Sequence, residues 1–456
     1  MATQRTWIWR AEALIVGGVL LLVGQPSWAQ APMAHEQLQP VPESTPTMAD
    51  IPSDTSMLQG ESSFSEEGEY DECFDFCGMP CCSPPGRFWL RADYLMWWTK
   101  GTQLPPLVTT SPQGTAEAQA GALAPYGNAS VLYGDSTVLN DGRSGVRATM
   151  GMWLDDCHKW DLEFDYLTLG GRSVGFNQYS TGGTILARPL YDVEAIHQGR
   201  ELVSYPGVVE GRVTVGVKDY FQSAGVSLSY NLCCCDSCES CCDPCEDWCG
   251  IPRLFCCRTD LILGYRYYNL SDSVEITEDL RITETGPTQN WLFNISDNFR
   301  ASNNFHGSEI GLRTRLYRDR WSIEILAKMA AGNNRETVTI DGQTIVTPTS
   351  QPTEVRDGGV YAVRSNVGTY TRDTFTVIPQ LGLELGYQLN CHWRAHIGYN
   401  LLYWGCVSRA SDAIDLNIDP RNIPVTQDPA LPFPAFQGQA SCFWAQGVSL
   451  GAELRF

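Results

Sequence analysis

The chain has 456 residues, a formal net charge of −21 and 18 Cys. A sequence pI near 4.6 argues against nucleic-acid binding, because counterion release from phosphates requires a basic surface. So many Cys argue against a reducing compartment, unless most of them bind metal. Composition therefore excludes a nucleic-acid partner and disfavours a cytosolic enzyme.

Residues 1–29 have the pattern of a cleaved secretory signal peptide. Arg5 and Arg10 precede a short apolar core at 13–23, and Ser27-Trp28-Ala29 fits a small-x-small cleavage site. The alternative is an N-terminal anchor helix, but the apolar core is nearer ~11 residues than the ~20 that a spanning helix needs. No later apolar run reaches ~18 residues, so the sequence predicts an exported protein without membrane helices.

Residues 30–87 predict a disordered acidic linker in the periplasm. The segment is rich in Pro, Ser and Glu, and it carries eleven acidic residues against one Arg. Low hydrophobicity combined with high net charge is typical of disorder. A small cysteine cluster lies within it, formed by Cys73, Cys77, Cys81 and Cys82.

Alternation with a period of two begins at Phe88 and continues to the last residue. In the first segment the apolar positions are even-numbered, from Phe88 to Trp98, whereas Arg91 and Asp93 fall on the opposite face. The same pattern predicts ten strands, at 88–99, 143–154, 160–170, 212–232, 258–270, 304–317, 321–332, 374–389, 394–404 and 441–456.

These segments predict an all-β fold, a transmembrane antiparallel up-and-down β-barrel over 88–456. A soluble sandwich also alternates, but these segments are longer than the ~5–6 residues of ordinary strands and suffice to cross a bilayer. Short periplasmic turns are expected at 155–159, 318–320 and 390–393, with a Cys-rich periplasmic connection at 233–257. Long outer loops are expected at 100–142, 171–211, 271–303, 333–373 and 405–440. Because 171–211 has room for a hairpin, twelve strands are possible.

Four blocks carry a family resemblance: WLRADYLMWWTKGTQLPPLVTTSP from Trp89, VLYG from Val131, LNDGRSGVRATMGMWLD from Leu139 and the C-terminal SLGAELRF. Over residues 85–456 the chain resembles the outer-membrane β-barrel porin family seven, which is abundant in planctomycete bacteria. The resemblance implies a single barrel in the outer membrane of a Gram-negative-type, planctomycete bacterium, with a porin-like role and no transferable catalytic or binding residues. Likeness to outer-membrane barrels in general implies that Phe456 is the assembly signal. Outer-membrane lipid and the barrel assembly machinery are then the expected partners.

The face opposite the apolar one carries charges of both signs in near balance. Ten strands leave a narrow bore that side chains can fill. A porin-like passage for small solutes or ions and a structural, charge-filled lumen without a real pore therefore both stay open. The predicted lumen-lining charges are Arg91, Asp93, Arg147, Asp161, Glu163, Asp165, Arg266, Glu309, Arg313, Arg315, Glu324, Lys328, Glu384, Arg394, Glu453 and Arg455, with Asp260 on the same phase.

Loop 104–112 (LPPLVTTSP) has three Pro and should resist regular structure. It could fold inward as a constriction or form an exposed lid, and the sequence does not choose between them.

Cysteines concentrate on the predicted periplasmic side. CxxC pairs allow a zinc or iron–sulfur site, but an oxidising periplasm favours disulfides, within the chain or to other envelope proteins, and no cofactor or metal is expected. Cys406 and Cys442 flank the last long loop and could bridge its neck. The disulfide candidates are Cys73, Cys77, Cys81, Cys82, Cys233, Cys234, Cys235, Cys238, Cys241, Cys242, Cys245, Cys249, Cys256, Cys257, Cys406 and Cys442.

The sequence offers no catalytic constellation. The six His are scattered, and only His396 falls on a lumen phase. No G-x-S-x-G, H-E-x-x-H or phosphate-loop motif occurs. An outer-membrane barrel enzyme is therefore a remote alternative, and we predict that the protein is not an enzyme.

Overall fold

A computed structural model describes residues 86–156, 158–234, 256–423 and 431–456. The predicted signal peptide, nearly all of the predicted linker and the core of the Cys-rich connection lie outside the described residues.

Ten antiparallel strands close into a ring, as the alternation predicted. Each strand pairs with the next along the chain, and the last pairs with the first. In chain order they are β1 Phe88–Thr99, β2 Arg143–Trp153, β3 Trp160–Thr168, β4 Val209–Cys234, β5 Cys256–Ile282, β6 Leu292–Arg318, β7 Trp321–Thr347, β8 Gly368–Gln388, β9 Trp393–Val407 and β10 Ser441–Arg455.

An apolar belt surrounds the ring on its outward side. On β1 every even-numbered side chain from Phe88 to Trp98 is exposed and every odd-numbered one is buried. On β7 the belt runs from Trp321 to Met329. The strands spend roughly nine to eleven residues in this belt, which is the length that a tilted transmembrane strand needs. By apolar belt we mean these outward-facing side chains, such as Phe88 to Trp98 on β1 and Trp321 to Met329 on β7.

Strands β4 to β8 extend far beyond the belt at the long-loop end. The prediction of loops at 271–303 and 333–373 was wrong over most of both segments. On β5 the outward positions change from Leu263 and Tyr265 to Ser273 and Glu275, while Ile276 on the inward side becomes the apolar position. Alternation therefore continues with its apolar face reversed, because water replaces lipid outside and loops replace charges inside.

Segment 171–211 contains the extra strands that the sequence allowed for. Arg172–Ser180 pairs with the far half of β4, in line with β3. Leu186–Asp192 and His197–Ser204 form a hairpin. None of the three enters the ring, so the barrel has ten strands.

The long loops fold inward and pack between the extended strands. Leu104, Leu107 and Val108 from loop 104–112 are buried there, so this loop faces inward and is not an exposed lid. The expectation that it lacks regular structure was wrong at Val108–Thr110, which forms a short strand. They pack with the hairpin and with inward residues of β4 to β7 such as Val215 and Phe299. We call this aliphatic cluster the outer core.

The opposite end carries the predicted short turns. A two-residue turn joins β6 to β7, and its Asp319 has a left-handed backbone with φ of 52°. Among the described residues, no helix has both the length and the apolarity to cross a membrane.

Phe456 lies where the ring closes. Its backbone N–H and C=O both bond Phe88 of β1, and the two rings stack at 6.1 Å. Its side chain is 60% exposed on the lipid side. Its role as an assembly signal stays a prediction.

We expect Phe456→Ala to lower the amount of folded barrel in cells, because the ring-closing strand loses its terminal aromatic contact. Trp393→Ala is the matched control, since Trp393 is another exposed, belt-facing aromatic at the same end. Heat-modifiable gel mobility of outer-membrane fractions measures the folded protein. Equal losses in both variants would refute a special role for Phe456.

Candidate functional site: the barrel interior

The barrel interior at belt level is filled by paired charges. All sixteen predicted lumen charges lie on inward positions and are buried or half-buried. They come from nine of the ten ring strands, and they meet because the bore is narrow. We call these residues, with Arg258, Asp260 and His396, the ion network.

Several ion pairs of this network cross the bore instead of joining neighbouring strands. Arg313 on β6 binds Glu163 on β3 at 2.7 Å, three strands away around the ring. Arg91 on β1 binds Glu384 on β8, which is also three strands away. A salt bridge that spans the bore excludes an open passage along its line.

Asp93 is the hub of the network. Its carboxylate accepts from Arg147 at 2.8 Å and from Arg91 at 3.1 Å, and it lies 2.5 Å from Nε2 of His396. All four side chains are buried or nearly so, hence each charge depends on its partner for compensation.

Arg258 was missing from the predicted lumen charges. It is buried and donates to Asp260 at 2.9 Å, and its guanidinium lies 4.6 Å from the centre of the Trp153 ring. It shares the even phase of Asp260 and Arg266, so the alternation contained the signal. Its place beside the cysteine cluster obscured that signal.

An aromatic layer crosses the bore next to the ion network, on the side of the long loops. We use "above" for positions nearer the long-loop end. Phe221 of β4 lies 5.1 Å from Phe443 of β10, and Tyr268 of β5 lies 6.0 Å from Trp404 of β9. Each pair joins strands that are four positions apart around the ring. The aromatic layer comprises Trp97, Phe221, Tyr268, Phe305, Trp404 and Phe443, each of them at most 2% exposed.

A strap of chain crosses the bore above the aromatic layer. After β9, the backbone of Ser408 donates to Asn303 on β6, and Ala410 donates to Asp272 on β5. Arg409 pairs with Asp272 at 2.7 Å. Burial raises the pKa of the Asp272 carboxyl to about 6, although Arg409 opposes the shift. The interior is thus filled at three successive levels.

A cavity of about 60 Å³ lies among the side chains of the ion network and reaches the aromatic layer at Trp97, Phe221 and Tyr268. Arg313 lines it, and two nitrogens of this guanidinium have no hydrogen-bond partner among the described residues. The space and its polarity suit a few water molecules.

A second buried ion cluster lies in the outer core. Arg188 is fully buried, binds Glu278 at 2.8 Å and Asp297 at 2.6 Å, and stacks 4.1 Å from the centre of Tyr361. Asp297 also accepts from three backbone N–H groups of residues 360–362 and so fixes that inward loop. Burial raises the pKa of the nearby Glu201 carboxyl to about 7, and Glu278 adds to the shift.

The cysteines divide into three groups. Cys406 and Cys442 are free thiols, so the predicted bridge across the last loop is absent. A bulge interrupts the β9–β10 pairing at this level, and Lys100 donates to Cys442 at 3.1 Å. Cys257 and Cys391 are disulfide-bonded, although Cys391 was not among the candidates. Most of the other candidates lie outside the described residues, and their pairing stays a prediction.

No group of three or more His, Cys, Asp or Glu residues suited to a metal occurs within the part of the chain that the structure describes.

A closed barrel with this interior can be compared with known families. The family model described as "Putative beta barrel porin-7 (BBP7)" matches residues 89–456. The chain belongs to this family. The resemblance carried by the block at Trp89 is therefore confirmed, and this BBP7 protein is an outer-membrane β-barrel protein. Its planctomycete source stays a prediction.

No curated protein matches the BBP7 chain. Among solved structures, the outer membrane protease OmpT from Escherichia coli is 9% identical, with 82% of this chain and 97% of that chain covered and a TM-score of 0.38. The P. putida toluene transporter TodX is 8% identical, with 82% and 91% covered and a TM-score of 0.21. A Pseudomonas aeruginosa FadL homologue is 9% identical, with 84% and 92% covered and a TM-score of 0.22. At these scores none of the similarities bears on activity.

We expect Asp93→Asn to destabilise the barrel by about 3–5 kcal/mol, because Arg147 would lose its carboxylate partner inside the bore and Arg91 would keep only its pairs with Glu384 and Glu324. Asp341→Asn is the matched control, since its pair with Arg300 is half-exposed and should contribute less than ~1 kcal/mol. Urea unfolding in micelles, followed by tryptophan fluorescence, measures the unfolding free energy of each variant. Similar midpoints for the two variants would contradict the central role of Asp93.

The raised pKa of Glu201 predicts a pH dependence of the outer core. The folded protein holds this proton up to about pH 7, whereas an unfolded Glu loses it near its ordinary value of 4.5. The contribution of protonated Glu201 to the free energy of unfolding is therefore complete below the unfolded pKa, and it is lost as pH rises through about 7. We expect the outer core to be more stable at pH 5.5 than at pH 8, on the order of 1 kcal/mol.

Glu201→Gln should remove this dependence, whereas Glu354→Gln, at an exposed pair, should retain it. Thermal unfolding of the three proteins at both pH values measures the difference. An unchanged pH dependence in Glu201→Gln would assign the effect to another group.

Proposed function

We propose that this BBP7 protein is a structural outer-membrane barrel that carries a folded outer domain and has no open passage for solutes. The aromatic layer is the observation that carries the proposal. An open channel leaves its lining side chains in contact with water, yet Trp97 and Trp404 are 1% and 0% exposed. Rings from opposite strands touch across the bore, so solute passage would require their displacement.

The ion network supports the same role. A selective channel presents charges of one sign to a passing ion. Here acids and bases bind each other, as Arg266 does with Asp165 at 2.5 Å and Glu309 at 2.8 Å. Charges that are neutralised by their neighbours stabilise a filled bore, and they offer little attraction to a mobile ion.

The bore is filled at several levels along its length, and this also supports a barrel without an open passage. The strap and the outer core lie above the aromatic layer, and the network lies below it. A porin-like passage would have to open all three levels together. The alternative of a structural barrel is therefore favoured over passage of small solutes.

Cross-linking through cysteines is a second part of this proposal. Cys257 and Cys391 are both at the short-turn end and both disulfide-bonded. Disulfides at this end would tie the turns to one another or to other envelope proteins, as the sequence predicted.

Planar-bilayer recording tests the proposal directly. We expect no conductance steps from refolded protein whose insertion is verified by brominated-lipid quenching of belt tryptophans such as Trp98 and Trp321. Stepwise conductance from inserted protein would overturn the proposal in favour of a pore.

A neighbouring pair of substitutions gives an independent test. Trp97 and Trp98 are adjacent in sequence but face the bore and the lipid respectively, with 1% and 39% exposure. In a filled bore, Trp97→Ala should cost about 3–5 kcal/mol of unfolding free energy, well above the cost of Trp98→Ala. A small cost at Trp97 would indicate a water-lined bore.

A further inference from the structure

The outward face of β4 to β7 carries a polar row beyond the apolar belt. Lys218 on β4, Ser273 on β5 and Arg300 on β6 are direct neighbours in the pairing register, and all three side chains point outward. Adjacent strands lie ~4.8 Å apart, so the two cations are separated by about 10 Å with a hydroxyl between them. This spacing allows both side chains to reach one anionic group placed over Ser273.

The cations of this row are accessible to a ligand. Lys218 is exposed, and it forms no ion pair or hydrogen bond within the described part of the chain. Arg300 pairs with Asp341 at 3.0 Å, but the two side chains are 58% and 50% exposed. Such exposed pairs are weak and exchange partners readily.

Amides connect this row to the belt. The Asn304 carbonyl oxygen accepts from Tyr267 at 3.0 Å and from Asn269 at 2.9 Å, and its amide nitrogen donates to Ser302 at 3.1 Å. Arg335 lies next to Asn304 in the register and is exposed. Fixed amides and hydroxyls are suited to the hydroxyl groups of a sugar.

The height of the row identifies the kind of lipid. The belt ends on β6 at His306, whose ring bonds the hydroxyl of Tyr265 at 2.6 Å. Arg300 is six residues farther along, which is about 20 Å of strand and, at the usual tilt, roughly 15 Å of height. The headgroup layer of an ordinary bilayer is only about 6 Å deep on each side. A phospholipid phosphate therefore lies below this row, whereas a saccharide headgroup extends to it.

We propose that this face binds the anionic saccharide headgroup of an outer-leaflet glycolipid. The acyl chains of such a lipid lie against the apolar belt, and its headgroup spans the polar zone between the end of the belt and the row. A phosphate of its sugar headgroup would lie over Ser273 between Lys218 and Arg300, while sugar hydroxyls would contact the amides around Asn304. The proposal requires the long-loop end to face outward, as it does in barrels of this class.

Native mass spectrometry of the detergent-folded full chain tests the proposal with three probes: lipopolysaccharide with a phosphorylated sugar core, lipid A without a core, and phosphatidylglycerol. We expect retention of the first probe to exceed that of the other two. The double variant Lys218→Gln/Arg300→Gln should reduce it about tenfold, since two charged contacts are lost. Arg212→Gln/Arg281→Gln is the matched control, because it removes the same charge from outward positions farther from the belt.

Four outcomes would overturn the proposal. Equal losses in the two double variants would indicate unspecific charge attraction. Retention of phosphatidylglycerol equal to that of the first probe would show that a phospholipid headgroup reaches the row. Full displacement of the first probe by inorganic phosphate at matched concentration would identify a site for free phosphate. Heat-modifiable mobility establishes that each variant is folded, and a folded double variant with unchanged retention also contradicts the proposal.

Discussion

Closure of the strand ring is the constraint on which the rest of this structure depends. Within a bilayer every backbone N–H and C=O must find a partner inside the protein, and β10 provides this for β1 through an uninterrupted register from Trp89 to Thr99. Ten strands closed in this way leave a bore narrow enough for side chains from opposite walls to touch. The filled interior follows from this size. Charges that enter such a bore must be paired, and Asp93 with Arg91, Arg147 and His396 shows how fully the pairing is achieved.

Solvent on either side of the wall then explains the change in composition along each long strand. At belt level lipid lies outside, so the apolar positions face outward and the charges face the bore. Beyond the belt water lies outside, and the apolar positions of β4 to β7 turn inward to cover the folded loops. The strand geometry is the same in both parts. Only the environment of its two faces is exchanged, so one continuous sheet serves as a membrane wall and as the shell of an outer domain.

Much of the barrel could be predicted from the sequence because alternation is a local signal. The boundaries of β1, β2 and β3, the short turns and the inward phase of Glu163, Arg313 and Glu384 all follow from counting in twos. Prediction stopped where the apolar face reversed, as at Ser273 on β5, because a reversed phase resembles the end of a strand. Arg258 was overlooked beside the cysteines. The bridge predicted between Cys406 and Cys442 is absent, because places on adjacent strands do not by themselves determine whether two thiols bond.

The sequence by itself determined the class of fold, the face that meets lipid and the family, since each of these follows from alternation along a strand or from a contiguous block such as that at Trp89. Only the tertiary structure decided which side chains meet across the bore. That property depends on contacts between residues far apart in the chain, Phe221 with Phe443 and Arg313 with Glu163, whose distances are set by the ring closure and diameter. No local pattern records how close opposite walls of a barrel come to each other.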